Sequence, residues 1–282
     1  MPPRFYDAHN HLHDSRLTLF RAQIAREVES AGIVRMVVNG ACEEDWPEVL
    51  KLAQAHPWVL PSFGYHPWYV RERTADWRES LMRLLDTVPS AIGEIGLDRW
   101  RADRDEAGQE EVFLWQWRLA EEQNLPVSIH CLKAWGWLMT LLRRHPGPRV
   151  GFVLHSYGGA AELIAPLAKL GAYFSFPGSF LQDQKGRQRE TFRQVPRDRL
   201  LIETDAPDQL PPESCCQFPL PCKSAESGVG LNHPANLPAI YAAAAQFFGE
   251  PLEAFAVQIE ANFLRLFGGR LGAPLSDRLE VD

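Results

Sequence analysis

Six residues of this chain share one setting, each lying in or at the end of a short apolar run: His9 and His11 in FYDAHNH, Glu94 in SAIGEIG, His130 in PVSIHC, His155 in RVGFVLHS and Asp205 in LLIETD. Imidazoles mixed with carboxylates suit borderline divalent ions such as Zn²⁺, Mn²⁺, Co²⁺ or Ni²⁺, and the set is too rich in nitrogen for a dedicated Ca²⁺ site. Taken singly, each has a plainer reading. A histidine in an apolar strand is most often a satisfied core residue, and Glu94 or Asp205 alone fits an ion pair or a cap as well as a ligand. Taken together, they are hard to explain by packing, because burying all six without a cation leaves several polar groups in need of partners.

The elements that must position them follow from the hydrophobic pattern. Short apolar runs at 5–11, 35–40, 59–65, 90–96, 126–131, 149–156, 172–176 and 200–205 alternate with segments such as EDWPEVLKLAQAH, WRESLMRLLDTV, QEEVFLWQWRLAEEQ and AWGWLMTLLRRH. The apolar residues of those segments recur three and four apart, as amphipathic helices require. Strand–helix alternation repeated eight times predicts a closed parallel (β/α)₈ barrel, a TIM barrel, rather than an open doubly wound sheet, and no GxGxxG turn follows the first strand. Residues two apart on a strand share a face, so His9 and His11 can both point inward, and the other four fall at strand ends on the same mouth.

The 282 residues are 45% hydrophobic and 23% charged, which fits one folded domain spanning 1–282 with a full core. A formal charge of −7 argues against a protein that coats nucleic acid electrostatically, although a local basic patch or a bound metal could still hold a phosphate. No apolar run is long enough to span a membrane, and no signal-peptide pattern opens the chain. With Cys42, Cys131, Cys215, Cys216 and Cys222 odd in number and scattered, the expectation is a cytoplasmic protein with reduced thiols. The stretch 206–231, rich in Pro, Ser and Cys, should lie over the barrel mouth, and two helices around 234–248 and 251–267 should close the chain.

The segments DAHNH, GEIGLD, PVSIHC, VLHSYGG and LLIETDAP, with the later LNHPANLP and ANFLRLF, resemble the TatD family of metal-dependent hydrolases. The order and approximate spacing agree over almost the whole chain, and the pairing of GEIGLD with ETDAP is its most specific part. The resemblance implies an amidohydrolase-like TIM barrel and a metal-dependent deoxyribonuclease or other phosphodiesterase, several members of the family being 3′-to-5′ exonucleases; the expected partner is DNA or another phosphodiester, and no obligate protein partner is evident. It further implies two divalent ions, drawn from Zn, Mn, Mg, Co or Ni. His9, His11, Glu94 and Asp205 would hold one ion, His130 and His155 the second, and Glu94 would bridge them. Glu94 and Asp205 are then the catalytic carboxylates, with Asp205 orienting a water or taking its proton.

Neighbouring residues carry further expectations. His66, in GYHPW, is a candidate for contact with a substrate phosphate, as is Arg99, which with Arg101 and Arg104 follows GEIGLD; the interleaved Asp98, Asp103 and Asp105 make a self-neutralising loop an equal alternative. His13 should be a solvent or helix-start residue, Asp7 a support for the ligands, Asn232 and His233 helix-start or mouth residues, and His56 and His145 surface or capping residues. Most tryptophans, including Trp115, Trp117, Trp135 and Trp137, should pack helices on the barrel, although some could stack on unpaired bases. The three cysteines of the 206–231 loop lack a CxxC pair and should be ordinary thiols. Two other functions stand beside the nuclease: hydrolysis of an ester, lactone or amide by the same activated water, and an inactive barrel kept as a binding protein.

Overall fold

The computed structural model describes residues 2–223 and 228–270; residues 1, 224–227 and 271–282 lie outside the described part, so the expectation for 206–231 is covered only in part. Eight strands form one parallel sheet in sequential order: β1 (Phe5–Asn10), β2 (Ile33–Asn39), β3 (Val59–Phe63), β4 (Ala91–Asp98), β5 (Val127–Leu132), β6 (Phe152–Leu154), β7 (Ala172–Pro177) and β8 (Leu200–Glu203). The sheet closes on itself where Asp205 N donates to His9 O at 3.0 Å and His11 N donates to Ala206 O at 2.7 Å. The strand-to-strand crossovers carry α1 (Arg21–Ser30), α2 (Trp46–Ala55), α3 (Trp77–Thr87), α4 (Glu106–Gln123), α5 (Trp135–Arg144), α6 (Ile164–Lys169) and α7 (Gly186–Thr191), and α8 (Leu237–Phe248) and α9 (Leu252–Phe267) end the chain. Local signals set several boundaries. Asp105 caps α4 by accepting from Gly108 N, and Asn124 stops the helix in the left-handed region at φ 52°.

The expected strand at 149–156 is the one that shrinks most. Gly151 N bonds back to Pro148 O at 3.0 Å, which turns Arg149 and Val150 out of the sheet, and Ser156 leaves it with φ 44°. His155 therefore sits just past the end of β6, held to β5 by its N–H on Ile129 O at 3.2 Å.

The barrel interior shows how the site is built from a two-residue period. Tyr6, Ala8, Val37, Leu60, Ala91, Val153, Tyr173 and Leu201 come from seven strands yet touch one another, which only inward-facing residues of a closed barrel can do. Phe263, Leu266 and Phe267 of α9 join this cluster and plug the lower end. Two residues further along, the same inward face turns polar: Val37 leads to Asn39, Leu60 to Ser62, Val153 to His155, Tyr173 to Ser175, and Leu201 to Glu203. An apolar lower layer thus carries a buried polar layer, and the mouth residues stand on that.

The plug is expected to matter for stability. Phe263 is fully buried and packs on Tyr6 and Phe267, each with ring centroids 4.9 Å away. Phe263→Ala should lower the unfolding free energy by roughly 3–5 kcal/mol, read from a denaturant midpoint, because a cavity adds to the lost transfer energy. Among the described residues, no helix is long and apolar enough to cross a membrane.

Candidate metal centre

Glu94 stands at the middle of the mouth and divides its two oxygens between two groups of imidazoles. Oε2 lies 3.4 Å from His9 Nε2 and 3.3 Å from His11 Nε2. Oε1 lies 2.8 Å from His155 Nε2, 3.2 Å from His130 Nδ1 and 3.5 Å from His66 Nε2. Asp205 Oδ1 completes the first group at 3.6 Å from both His9 and His11 Nε2. Within the groups the ring nitrogens face each other closely, His9 to His11 at 3.2 Å and His130 to His155 at 3.3 Å.

Four donors about 2.0–2.1 Å from one tetrahedral ion lie roughly 3.3–3.4 Å from one another; the first group lies near that edge, while the second includes one shorter contact, His155 to Glu94 at 2.8 Å. The tautomers agree. His11 Nδ1 sits 2.8 Å from Asn39 O, which can only accept, so that nitrogen donates and Nε2 is left to ligate. His130 Nε2 sits 2.9 Å from Asp98 Oδ2 and donates in the same way, turning Nδ1 inward. His9 Nδ1 lies 2.8 Å from Ser128 Oγ, which can accept its proton and leave Nε2 facing Glu94. The donors present therefore fit two divalent cations, one on each side of Glu94.

The flanking sequence explains why GEIG reads as it does. Between Ile92 and Ile95 the pairing of β4 with β5 slips, a bulge that re-aims Glu94 at the mouth. A Cβ on Gly93 would come within 2.7 Å of Ser62 Oγ and 2.8 Å of Ser128 Cβ, and one on Gly96 would sit 2.0 Å from the His130 carbonyl oxygen. Either substitution would push apart the strands that carry the ligands. Asp205 itself adopts φ 51°, a conformation an aspartate tolerates and one that lets the chain leave β8 with its carboxylate facing β1.

Charge in the cluster is finely opposed. Burial works against a His11 cation, but the Glu94 and Asp205 carboxylates outweigh it and raise the imidazole to about 10. Burial likewise opposes His130, which Asp98 and Glu94 raise to about 9. Burial would raise Glu94, yet His155, His66, His9 and His11 hold it well below the usual carboxylate range. Burial pushes Asp205 up. A cation entering the site must therefore displace protons from His11 and His130, both bound at neutral pH. Metal affinity should fall as the pH is lowered and metal uptake should release protons; calorimetric titration in buffers of different ionisation enthalpy reads both.

The six residues picked from the sequence converge on this mouth, and His66 joins them, buried and facing Glu94. Arg99 does not turn toward the cluster: it bonds Glu106 at 2.9 Å and lies 4.9 Å above the Trp137 ring. His13 differs from the solvent or helix-start expectation, being buried with Nε2 3.2 Å from Asp45 Oδ2. Its backbone sits where the chain leaves β1 and folds over the loop before α2, so burial follows from that turn. Asp7 supports the site through the backbone, accepting from Thr204 N at 3.0 Å, Thr204 Oγ1 at 2.5 Å and His9 N at 3.2 Å, which ties β1 to β8. His233 starts the helical turn before α8 by accepting from Ala235 N, and Asn232 bonds Thr204 O at 2.8 Å. His56 and His145 cap α2 and α5 through their backbone N–H groups.

Sequence patterns missed the layer underneath. Glu203, fully buried, accepts from Ser156 N at 2.8 Å, from Ser156 Oγ at 2.5 Å and from Ser175 Oγ. Asn39, Ser128 and Asp98 fix the rings of His9, His11 and His130. For Asn39 and Glu203 the signal was the inward period, two residues beyond Val37 and Leu201.

Comparison with known proteins agrees with this fold. The family described as TatD related DNase matches residues 6–268. A 3′-5′ ssDNA/RNA exonuclease TatD of Escherichia fergusonii is 31% identical over 265 residues, spanning 93% of this chain and 98% of that relative. An uncharacterized metal-dependent hydrolase of Bacillus subtilis, YabD, is 29% identical over 209 residues, 73% of this chain and 81% of its own length. Among solved structures, the TatD homolog YjjV from Escherichia coli K12 superposes with a TM-score of 0.83 at 26% identity, covering 95% of this chain and 99% of that one.

Proposed function

Because this chain belongs to the TatD related DNase family, we propose that it is a divalent-metal-dependent phosphodiesterase that shortens single-stranded nucleic acid, releasing nucleotides from the 3′ end. The observation that carries the reading is the division of Glu94 between two sets of imidazoles, Oε2 toward His9 and His11 and Oε1 toward His130 and His155. His9, His11, Glu94 and Asp205 would hold one cation; Glu94, His130 and His155 would hold the other, with His66 beside them. Two such ions supply Lewis-acid stabilisation of the phosphoryl oxygens and acidify water.

The chain's own residues do the rest. Glu94 keeps the two halves of the mouth in fixed relation, since the bulge in β4 and the glycines beside it leave the carboxylate one position. Asp205, whose Oδ1 lies 3.6 Å from both His9 and His11 Nε2, is the carboxylate placed to take a proton from the attacking water. His66 faces Glu94 from the loop after β3, where it can donate to a phosphate oxygen. No side-chain nucleophile is required, and all five cysteines are free thiols, which supports a reducing, cytoplasmic setting.

The test is metal-loaded protein with single-stranded DNA labelled at its 5′ end. The expected result is a ladder that shortens stepwise and disappears when a chelator is added. Metal-loaded protein that leaves both the DNA and small phosphodiesters intact would overturn the reading, and turnover of esters or lactones instead would move the chemistry to a carbonyl.

A further inference from the structure

Of the nine tryptophans, seven are buried or packed into the core, while Trp68 and Trp100 are 36% and 57% exposed. Both lie beside the metal mouth. The Trp68 ring meets His66 edge-on at 5.2 Å and stands 6.3 Å from the His130 ring. Trp100 stacks next to it, with centroids 6.1 Å apart and planes inclined by 29°. Two stacked indoles held partly in water beside a reactive centre offer a face that packing does not use.

One carboxylate fixes this pair relative to the ligands. Asp98 Oδ2 accepts from Trp68 Nε1 at 2.9 Å and from His130 Nε2 at 2.9 Å, while Oδ1 accepts from Trp100 N at 2.6 Å. Trp68 N also donates to His66 Nδ1 at 3.2 Å. Asp98 thus ties the Trp68 indole, the His130 ring and the Trp100 backbone to one carboxylate, and His66 is linked to the same group through the Trp68 backbone.

We infer that Trp68 and Trp100 form a stacking platform for an unpaired nucleobase next to the phosphodiester being cleaved, a subsite that rests on the nuclease reading above. The exposed face of Trp100 takes the base, and Trp68 backs it. Stacking supplies the affinity at the rings themselves. Arg101 lies 5.6 Å over the Trp68 ring and is paired with Asp103, while Arg99 and Arg104 share the single carboxylate of Glu106. The cavity of about 90 Å³ lined by Trp68, Arg71, Arg101 and Asp103 is far smaller than the several hundred Å³ a nucleotide-sized ligand fills, which leaves the open face as the seat. A platform of this kind tolerates any base but demands a single strand, because a paired base has no free face.

The experiment is a binding cycle. Metal-loaded protein is titrated with a short oligothymidylate whose phosphorothioate linkages resist cleavage, and with the same strand carrying one abasic residue at successive 3′ positions. Trp100→Ala is expected to weaken binding roughly 5- to 150-fold, the usual worth of one stacked base, and Trp100→Phe to recover most of it. An abasic residue at one position should cost the wild type a similar factor and cost Trp100→Ala nothing. Equal affinity of wild type and Trp100→Ala, or abasic losses that are the same in both proteins at every position, would overturn the platform. Ordinary linkages separate the two readings: tight, Trp100-dependent binding without any cleavage would count against the nuclease and leave the platform standing.

Discussion

Glu94→Ala is expected to cost at least about a thousandfold in phosphodiesterase activity, because it removes the one residue that both halves of the mouth share. Each tenfold corresponds to about 1.4 kcal/mol of barrier, and losing both cations forfeits several kcal/mol of charge stabilisation at the reacting phosphate. The variant also leaves His9 and His11 on one side, and His130 and His155 on the other, with no carboxylate between them. Metal should therefore raise the thermal unfolding temperature of the wild type by more than that of the variant, in which only His9, His11 and Asp205 remain grouped, since a ligand stabilises only a state that binds it. Glu94→Gln separates charge from shape: the amide fills the same space and should still fail to recover activity. Full activity and metal content in either variant would show that the bridge is misassigned.

Asp205→Asn is the second large effect, and it should look different. Asparagine keeps the size of the side chain and one oxygen donor, and the backbone link from Asp205 N to His9 O at 3.0 Å does not depend on the carboxylate. Metal content should survive in part, since His9, His11 and Glu94 remain. What is lost is the proton acceptor at the rim, so kcat should fall roughly 10²- to 10⁴-fold with a smaller change in KM. A variant that kept its kcat and lost only metal affinity would make Asp205 a ligand and nothing more.

Particular residues show how far the sequence alone could reach. The barrel was legible because each strand is an apolar run broken by turn residues and each helix repeats its apolar positions every three or four residues. The six ligand candidates were legible for the opposite reason: polar residues at the ends of such runs break the pattern that packing would impose. His66 was harder, since it lies in a loop after β3 and only the folded chain brings its Nε2 within 3.5 Å of Glu94. Asp98 was read as half of a surface charge pattern, yet it is fully buried, and its partners His130 and Trp68 are 32 and 30 residues away. Trp68 and Trp100 could not be told from packing tryptophans, because exposure depends on which neighbours the loops before α3 and α4 bring in. Arg99 shows the converse: its neighbours in sequence placed it at the mouth, and its side chain turned away to Glu106 and Trp137.

Anomalous diffraction from crystals of the protein grown with Mn²⁺ reads the Glu94 bridge without recourse to activity. Two peaks per chain are expected about 3.5–4 Å apart, one between His9, His11 and Asp205 and the other between His130 and His155, with Glu94 between the peaks. A single peak, or peaks away from Glu94, would contradict the bridge.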